Sequence, residues 1–261
     1  MIGAIGAHRR AAADLPFSPL PWRLRALPVC ASTERVLDRW LADDPRLAGD
    51  GPLRAPLAVI ARRQRFGRGQ QGRPWSSPSG GVWLSAALPW PTAAAAAAPG
   101  LAVAVGLCLR LEARGLPVQI KWPNDLLLVA AYGTAPQKLA GLLPRLRLRG
   151  GACRWARMGV GLNAANRVPP GAVAVAQVLG SGRADPLLWT GEVLAALEWA
   201  MAWAGRPEEV RRQAERRLLL PAGPIPIDGE DWRPIGLAAD GGLQLEHGRR
   251  ERVLHRSFGA G

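Results

Sequence analysis

Gly67-Arg68-Gly69-Gln70-Gln71-Gly72-Arg73 spells GxGxxG, and two incompatible structures compete for it. A dinucleotide-binding βαβ unit needs a helix opening directly after the third glycine and an acidic residue about 20 positions further on for the ribose. Here Pro74, Pro78, Gly80 and Gly81 follow, and no Asp or Glu occurs between Asp50 and Glu112. The doubly wound reading therefore fails. What remains is a loop in a stretch that carries Arg54, Arg62, Arg63, Arg65, Arg68, Arg73 and Arg110 without a single counter-charge. Glycines let backbone amides approach an anion, and guanidinium groups grip phosphate in pairs of bonds. The plain alternative is a solvated basic loop.

Upstream, Leu57-Ala58-Val59-Ile60-Ala61 reads as a buried strand, and Ser32-Thr33-Glu34 before Val36, Leu37, Trp40 and Leu41 reads as a helix start. Residues 1–30 show no sustained period. Downstream, Gly81–Leu88 alternates as a strand, and Leu101–Gly115 is helical by spacing, stopped by Gly115 and Pro117. Val118–Trp122 and Leu126–Ala130 are short strands around a Pro-Asn-Asp turn. Leu139–Arg149 alternates Leu with Arg at its end, and Arg157–Leu162 is a further apolar run. Pro186–Ala204 and Glu208–Leu220 read as helices. Beyond Pro221 and Pro224, short strands at Ile225–Ile227, Ile235–Leu237, Leu243–Leu245 and Val253–His255 suggest a small β-barrel of the SH3-like kind. Asp240-Gly241 supplies a hairpin turn within it.

The chain has 261 residues, room for one large domain or a large and a small one. Its 48% hydrophobic content excludes a disordered tail or a disulfide-stapled mini-protein. Cys30, Cys108 and Cys153 are widely spaced with no CxxC, which predicts idle thiols in a reducing, cytoplasmic setting. His8, His247 and His255 lie near the ends and form no metal-binding pair, so no metal site is expected. The amino terminus shows no signal-peptide pattern. Ala93–Leu109 is broken by Pro99-Gly100 and is mostly Ala, so it reads as a loop and a buried helix instead of a membrane span.

The net charge is +14, and the cations are almost all arginine: of 34 basic residues only Lys121 and Lys138 are lysine. Asparagine is nearly as scarce, at Asn124, Asn163 and Asn166. Against such a bias, a lysine or asparagine marks a position where chemistry asks for it. Lys121-Trp122-Pro123-Asn124-Asp125 and Lys138-Leu139-Ala140-Gly141 hold both lysines at strand ends around one turn. An ammonium is a compact point charge that can follow a phosphate through reaction, and Asp125 can hold a phosphate-bridging metal or a ribose hydroxyl. Gly159-Val160-Gly161-Leu162-Asn163 adds another strand end with a scarce asparagine.

These four runs resemble, in order, the signature runs of the biotin–protein ligase family. Trp75, Ser77 and Pro78 follow the glycine–arginine loop as in that family. With Ser32-Thr33 the resemblance spans about residues 30–165. It implies an α+β fold, with a mixed β-sheet flanked by helices of the class II synthetase and biotin–lipoate ligase kind, and a small C-terminal SH3-like barrel. The layout it implies is an N-terminal extension over 1–30, a catalytic domain over 31–220 and the barrel over 221–261. No helix-turn-helix pattern precedes it, which fits the minimal form of the ligase. The implied reaction joins biotin to ATP as biotinyl-5′-AMP and passes the acyl group to a lysine of the biotin carboxyl carrier domain of acetyl-CoA carboxylase. ATP and biotin are substrates, Mg2+ comes with ATP, and no tightly bound cofactor is implied. Homodimerisation stays open.

Carried over position by position, Lys138, Arg68 and Asp125 are implied as catalytic. Ser32, Thr33, Gln64, Arg68, Gly69 and Lys138 are implied as biotin-binding, and Arg73, Trp75, Lys121, Asn124, Asp125 and Asn163 as ATP-binding. Glu34 stands where the family often has Asn, Gln70 where many members have Arg, and Pro144-Arg145 where an acid is common. The Asp125–Lys138 connection, through Tyr132-Gly133-Thr134, is long. Lipoate–protein ligase chemistry shares this fold and is the neighbouring alternative; the glycine–arginine loop favours biotin. An Arg-rich nucleic-acid binder is the other rival, but Arg206–Arg217 interleaves Glu208, Glu209 and Glu215, so no specific nucleic acid is expected.

Overall fold

Alternation along the central strands sends side chains to both faces of one sheet, and each face finds its own cover. The computed structural model describes residues 2–16, 18–45, 51–92, 96–129 and 135–255. Among these, seven strands form a mixed sheet. They are β1 (Arg23–Cys30), β2 (Leu57–Gln64), β3 (Val82–Leu88), β4 (Val118–Lys121), β5 (Asp125–Leu128), β6 (Gln137–Arg149) and β7 (Ala152–Leu162), in the order β1-β2-β3-β7-β6-β5-β4. The β1–β2 pair is parallel and the other pairs are antiparallel.

On one face, Ala58, Leu84, Ala86, Leu88 and Met158 join the main core with α3 (Pro99–Ala113) and α5 (Pro186–Trp203). Most of α3 is buried, as its nearly continuous apolar sequence requires. On the other face Leu57, Val59 and Ala87 pack with Leu37, Trp40 and Leu41 of α2 (Thr33–Asp43). A fully buried leucine such as Leu37 contributes about 1.5–3 kcal/mol of burial. The helices α3 and α5 are pinned through the buried Glu192, which is shared by the buried Arg110 and the partly exposed Arg114. Glu192 accepts from Arg110 Nε at 2.6 Å and from Arg114 Nε at 2.8 Å, and its side chain is wholly enclosed.

Residues 1–30 are not structureless, contrary to their lack of period. They form α1 (Ile2–Ala11), packed on α5, and the edge strand β1. Only Leu24 of β1 is buried, so this strand shows no apolar alternation to read. The boundary drawn at residue 30 thus falls at the end of a strand of the main sheet. Leu20 N–H and Trp22 Nε1 both donate to the buried Glu198 of α5, with His8 Nε2 3.1 Å from the same carboxylate, which ties this segment down.

After α4 (Val175–Leu179), α6 (Pro207–Glu215) ends earlier than the spacing predicts. The chain goes extended there, because Ile120 N–H donates to Arg217 O at 2.7 Å and Leu219 N–H to Ile120 O at 2.9 Å. Three arginines of this region are ion-paired: Arg211 with Glu208 and Glu215, Arg212 with Glu209, and Arg217 with Glu112. Much of the charge in this run is therefore compensated within the protein.

The last strands, β8 (Ile225–Ile227), β9 (Glu230–Leu237), β10 (Leu243–His247) and β11 (Arg250–Leu254), form a separate antiparallel sheet compatible with an SH3-like unit. Asp240-Gly241 makes the β9–β10 turn, with Gly241 at φ 85°. The Trp122 indole N–H donates to Gly241 O at 3.0 Å and joins the two sheets.

Among the described residues no helix is long and apolar enough to cross a membrane. Of the Ala93–Leu109 stretch, 93–95 lie outside the described residues and Pro99 opens α3. Cys30, Cys108 and Cys153 are free thiols, and burial pushes all three upward in pKa.

Candidate active site

The sheet order brings together the carboxyl end of β2, the start of β6, the end of β7 and the β4–β5 turn. Their loops enclose a cavity of about 550 Å3. Ser32, Thr33, Gln64, Arg68, Gly69, Arg73, Trp75, Lys121, Asn124, Asp125, Lys138 and Asn163 all line it. Positions chosen separately along the chain thus share one chamber.

One end is a closed polar cluster. Gln64 Oε1 accepts from Thr33 N–H at 2.8 Å and from Thr33 Oγ1 at 3.1 Å, and Gln64 Nε2 donates to Ser77 Oγ at 2.9 Å. Thr33 Oγ1 also shares a bond with Ser85 Oγ at 2.8 Å. Ser32 precedes α2 but makes no side-chain cap bond, so its buried hydroxyl is uncommitted.

The other end is cationic. The glycine–arginine loop folds as a narrow turn, with Gly69 N–H donating to Arg73 O at 2.8 Å and Trp75 N–H to Gly67 O at 2.9 Å. Arg68, Arg73 and Lys121 are exposed at the rim, and among the described residues no carboxylate pairs with them. Lys138 Nζ lies 2.7 Å from Asp125 Oδ1 and 4.8 Å from the Trp75 ring centroid. A β-bulge between Leu126 and Leu127, opposite Lys138, sits beside this contact.

The Trp75 indole lies on two bare strand positions. A Cβ at Gly161 would stand 2.7 Å from ring atoms, and one at Gly141 would stand 2.9 Å away. These glycines are required for the seat, and Trp75 Nε1 is buried against them without a partner. The loop's own steric demand falls on Gly67, where a Cβ would meet Ser77 Oγ and Trp75 O at 2.5 Å each. Gly69 has only an ordinary contact at 3.7 Å and an extended φ of −105°. Gly67→Ala is therefore expected to destabilise the protein by about 1–3 kcal/mol in thermal melts, with Gly69→Ala near neutral.

Two of the scarce asparagines are committed to backbone. Asn124 Nδ2 donates to Leu142 O at 2.9 Å, and Asn163 Nδ2 donates to Lys138 O at 3.4 Å while its Oδ1 accepts from the Asn166 side chain at 3.0 Å. They shape the wall as well as line it. Sequence reading missed Ser85 and Gly141 as a stacking seat, which only the cross-strand register exposes, and noted Glu34 as a departure from the family pattern without a place on the lining. Tyr132-Gly133-Thr134 lies outside the described residues. A larger open groove of about 1270 Å3, beside the outer half of β6 and the β9–β10 turn, contains neither lysine.

Residues 49–163 match the Biotin/lipoate A/B protein ligase family. It is 37% identical over 147 residues to the bifunctional ligase/repressor BirA of Salmonella typhimurium, covering 54% of this chain and 40% of that protein. It is 36% identical over 121 residues to a biotin–[acetyl-CoA-carboxylase] ligase of Paracoccus denitrificans, covering 44% and 47%. The chain thus spans less than half the length of these relatives. Its fold is similar to that of the biotin protein ligase from Aquifex aeolicus solved with biotin and ATP, at a TM-score of 0.61 and 20% identity over 93% of this chain and 97% of that one. It is also similar to the Helicobacter pylori biotin acetyl coenzyme A carboxylase synthetase with bound biotinylated ATP, at 0.56 and 23% over 88% and 99%.

Proposed function

We propose that this chain is an ATP-dependent biotin–protein ligase. The observation that carries the reading is the polarity of the cavity. Hydroxyl and amide groups of Ser32, Thr33 and Gln64 stand by α2 and β2, Lys121 and Lys138 stand on β4 and β6 across the sheet, and Arg68 and Arg73 lie on the loop that runs between them. Biotin has the same polarity, a urea at one end and a carboxylate at the other. A carboxylate and a triphosphate repel each other, so cations must lie where they meet.

In the first step a biotin carboxylate oxygen attacks the α-phosphorus of ATP. The bond to the bridging oxygen breaks, and pyrophosphate leaves. Lys138 spans the reacting carboxylate and phosphate, and Arg68 comes in with its loop over the adenylate. Enclosure by that loop protects the mixed anhydride from water. In the second step the ε-amine of an acceptor lysine attacks the acyl carbon, giving the amide and AMP. Ser32, Thr33, Gln64 and Gly69 bind biotin; Arg73, Trp75, Lys121, Asn124, Asp125 and Asn163 bind ATP. Of the two carboxylates on the described lining, Asp125, beside Lys138, is the one that would hold the magnesium accompanying ATP, which would neutralise phosphate charge there.

Residues 31–220 together with β1 make the catalytic unit, and 221–261 the C-terminal β unit. The acceptor is the biotin carboxyl carrier domain of acetyl-CoA carboxylase, and the compartment is the cytoplasm. ATP–pyrophosphate exchange measured with biotin, with lipoate and with neither tests the reading. Stimulation by biotin alone is the expected result. Stimulation by lipoate, or by neither acid, overturns it.

A further inference from the structure

At the polar end of the cavity most of the hydrogen-bond acceptance is taken, with the Ser32 hydroxyl the exception. Gln64 Oε1 already receives two donors from Thr33, and Thr33 Oγ1 is shared between Gln64 and Ser85. A urea presents two N–H groups and cannot bind without acceptors. Glu34 lines the same end, one residue along α2 from Thr33. Its carboxylate faces Arg157 of β7, but Arg157 is turned to another partner. Both terminal nitrogens of Arg157 bond Asp38, with Nη2 3.0 Å from Oδ2. Only Nε faces Glu34, at 3.3 Å and without hydrogen-bond geometry. Glu34 Oε1 is therefore a buried carboxylate oxygen with no hydrogen bond among the described residues, 3.3 Å from Arg157 Nε. It lies over Gly159, 3.8 Å from where a Cβ there would stand.

We infer that Glu34 is a specificity-determining residue, whose carboxylate accepts a hydrogen bond from a urea N–H of the substrate. Arg157 acts through it as a positioning residue. The inference rests on the ligase reading and names which end of the substrate the chain's own departure from the family pattern serves.

The test is steady-state pyrophosphate exchange on the full chain, with KM measured separately for biotin and for ATP. Glu34→Ala is expected to raise KM for biotin by about tenfold to a hundredfold, the loss expected for a bond to a charged acceptor, with KM for ATP unchanged. Glu34→Gln keeps an acceptor and loses the charge, so an intermediate rise of about three- to fivefold is expected. It also serves if the alanine variant folds poorly. Biotin methylated on its urea nitrogens adds a ligand-side readout: the parent should discriminate against it and Glu34→Ala should do so less. A biotin KM within about twofold of the parent in both variants overturns the role, as does a parallel rise of both KM values. A parent chain with no biotin-dependent exchange overturns the ligase reading and this inference with it.

Discussion

Arginine in place of Lys138 is expected to cut biotin-dependent pyrophosphate exchange by about 10²–10³-fold, although the charge is kept. The ammonium occupies a narrow position. It lies 2.7 Å from Asp125 Oδ1 and 4.8 Å from the Trp75 ring centroid, and a Cβ at neighbouring Gly141 would already stand 3.3 Å from Lys138 Cε. A planar fork with five donors cannot rotate into that space as a point charge can. It would instead lock onto Asp125 with two bonds and withdraw both groups from the nucleotide. The thermal midpoint should change little, because the side chain is partly exposed. Turnover near that of the parent would refute the assignment of Lys138 to the reacting groups.

The largest expected effect on stability comes from Glu192→Ala, at about 3–5 kcal/mol. Glu192 is enclosed and shared by Arg110 and Arg114. Its removal leaves Arg110, itself buried, as an uncompensated charge between α3 and α5. For a chain of this size that corresponds to a fall of about 10 °C in Tm. Adding Arg110→Met to Glu192→Leu should recover much of the loss, since an apolar pair of similar volume avoids the cost of burying ions. Denaturant melts of the single and double variants decide it, and a single-variant loss below about 1 kcal/mol would place the triad in solvent.

Much of this was legible in the sequence where the signal is local. The strands β2 and β3 announce themselves by apolar runs, and α3 by its spacing and its Gly115 stop. The site was legible through scarcity: with arginine as the default cation, Lys121 and Lys138 stand out, and both line the cavity. What could not be read is what depends on register between distant strands. The strand β1 has one buried residue and is recognisable only once β2 lies beside it. Gly141 and Gly161 are cross-strand partners, and only that pairing reveals them as the floor beneath Trp75. The end of α6 is set by Ile120, nearly a hundred residues earlier in the chain, and no feature within the helix reports it.

The bond from Trp122 to Gly241 spans 119 positions of sequence. It fixes the turn that carries Lys121 and Asp125 to the hairpin between β9 and β10. The cationic wall of the chamber is therefore not an outgrowth of one sheet alone but is braced from behind by the other. The turn bearing Lys121 and Asp125 thus has an anchor in the second sheet, whereas the Thr33–Gln64 end is seated on α2 and β2 of the first.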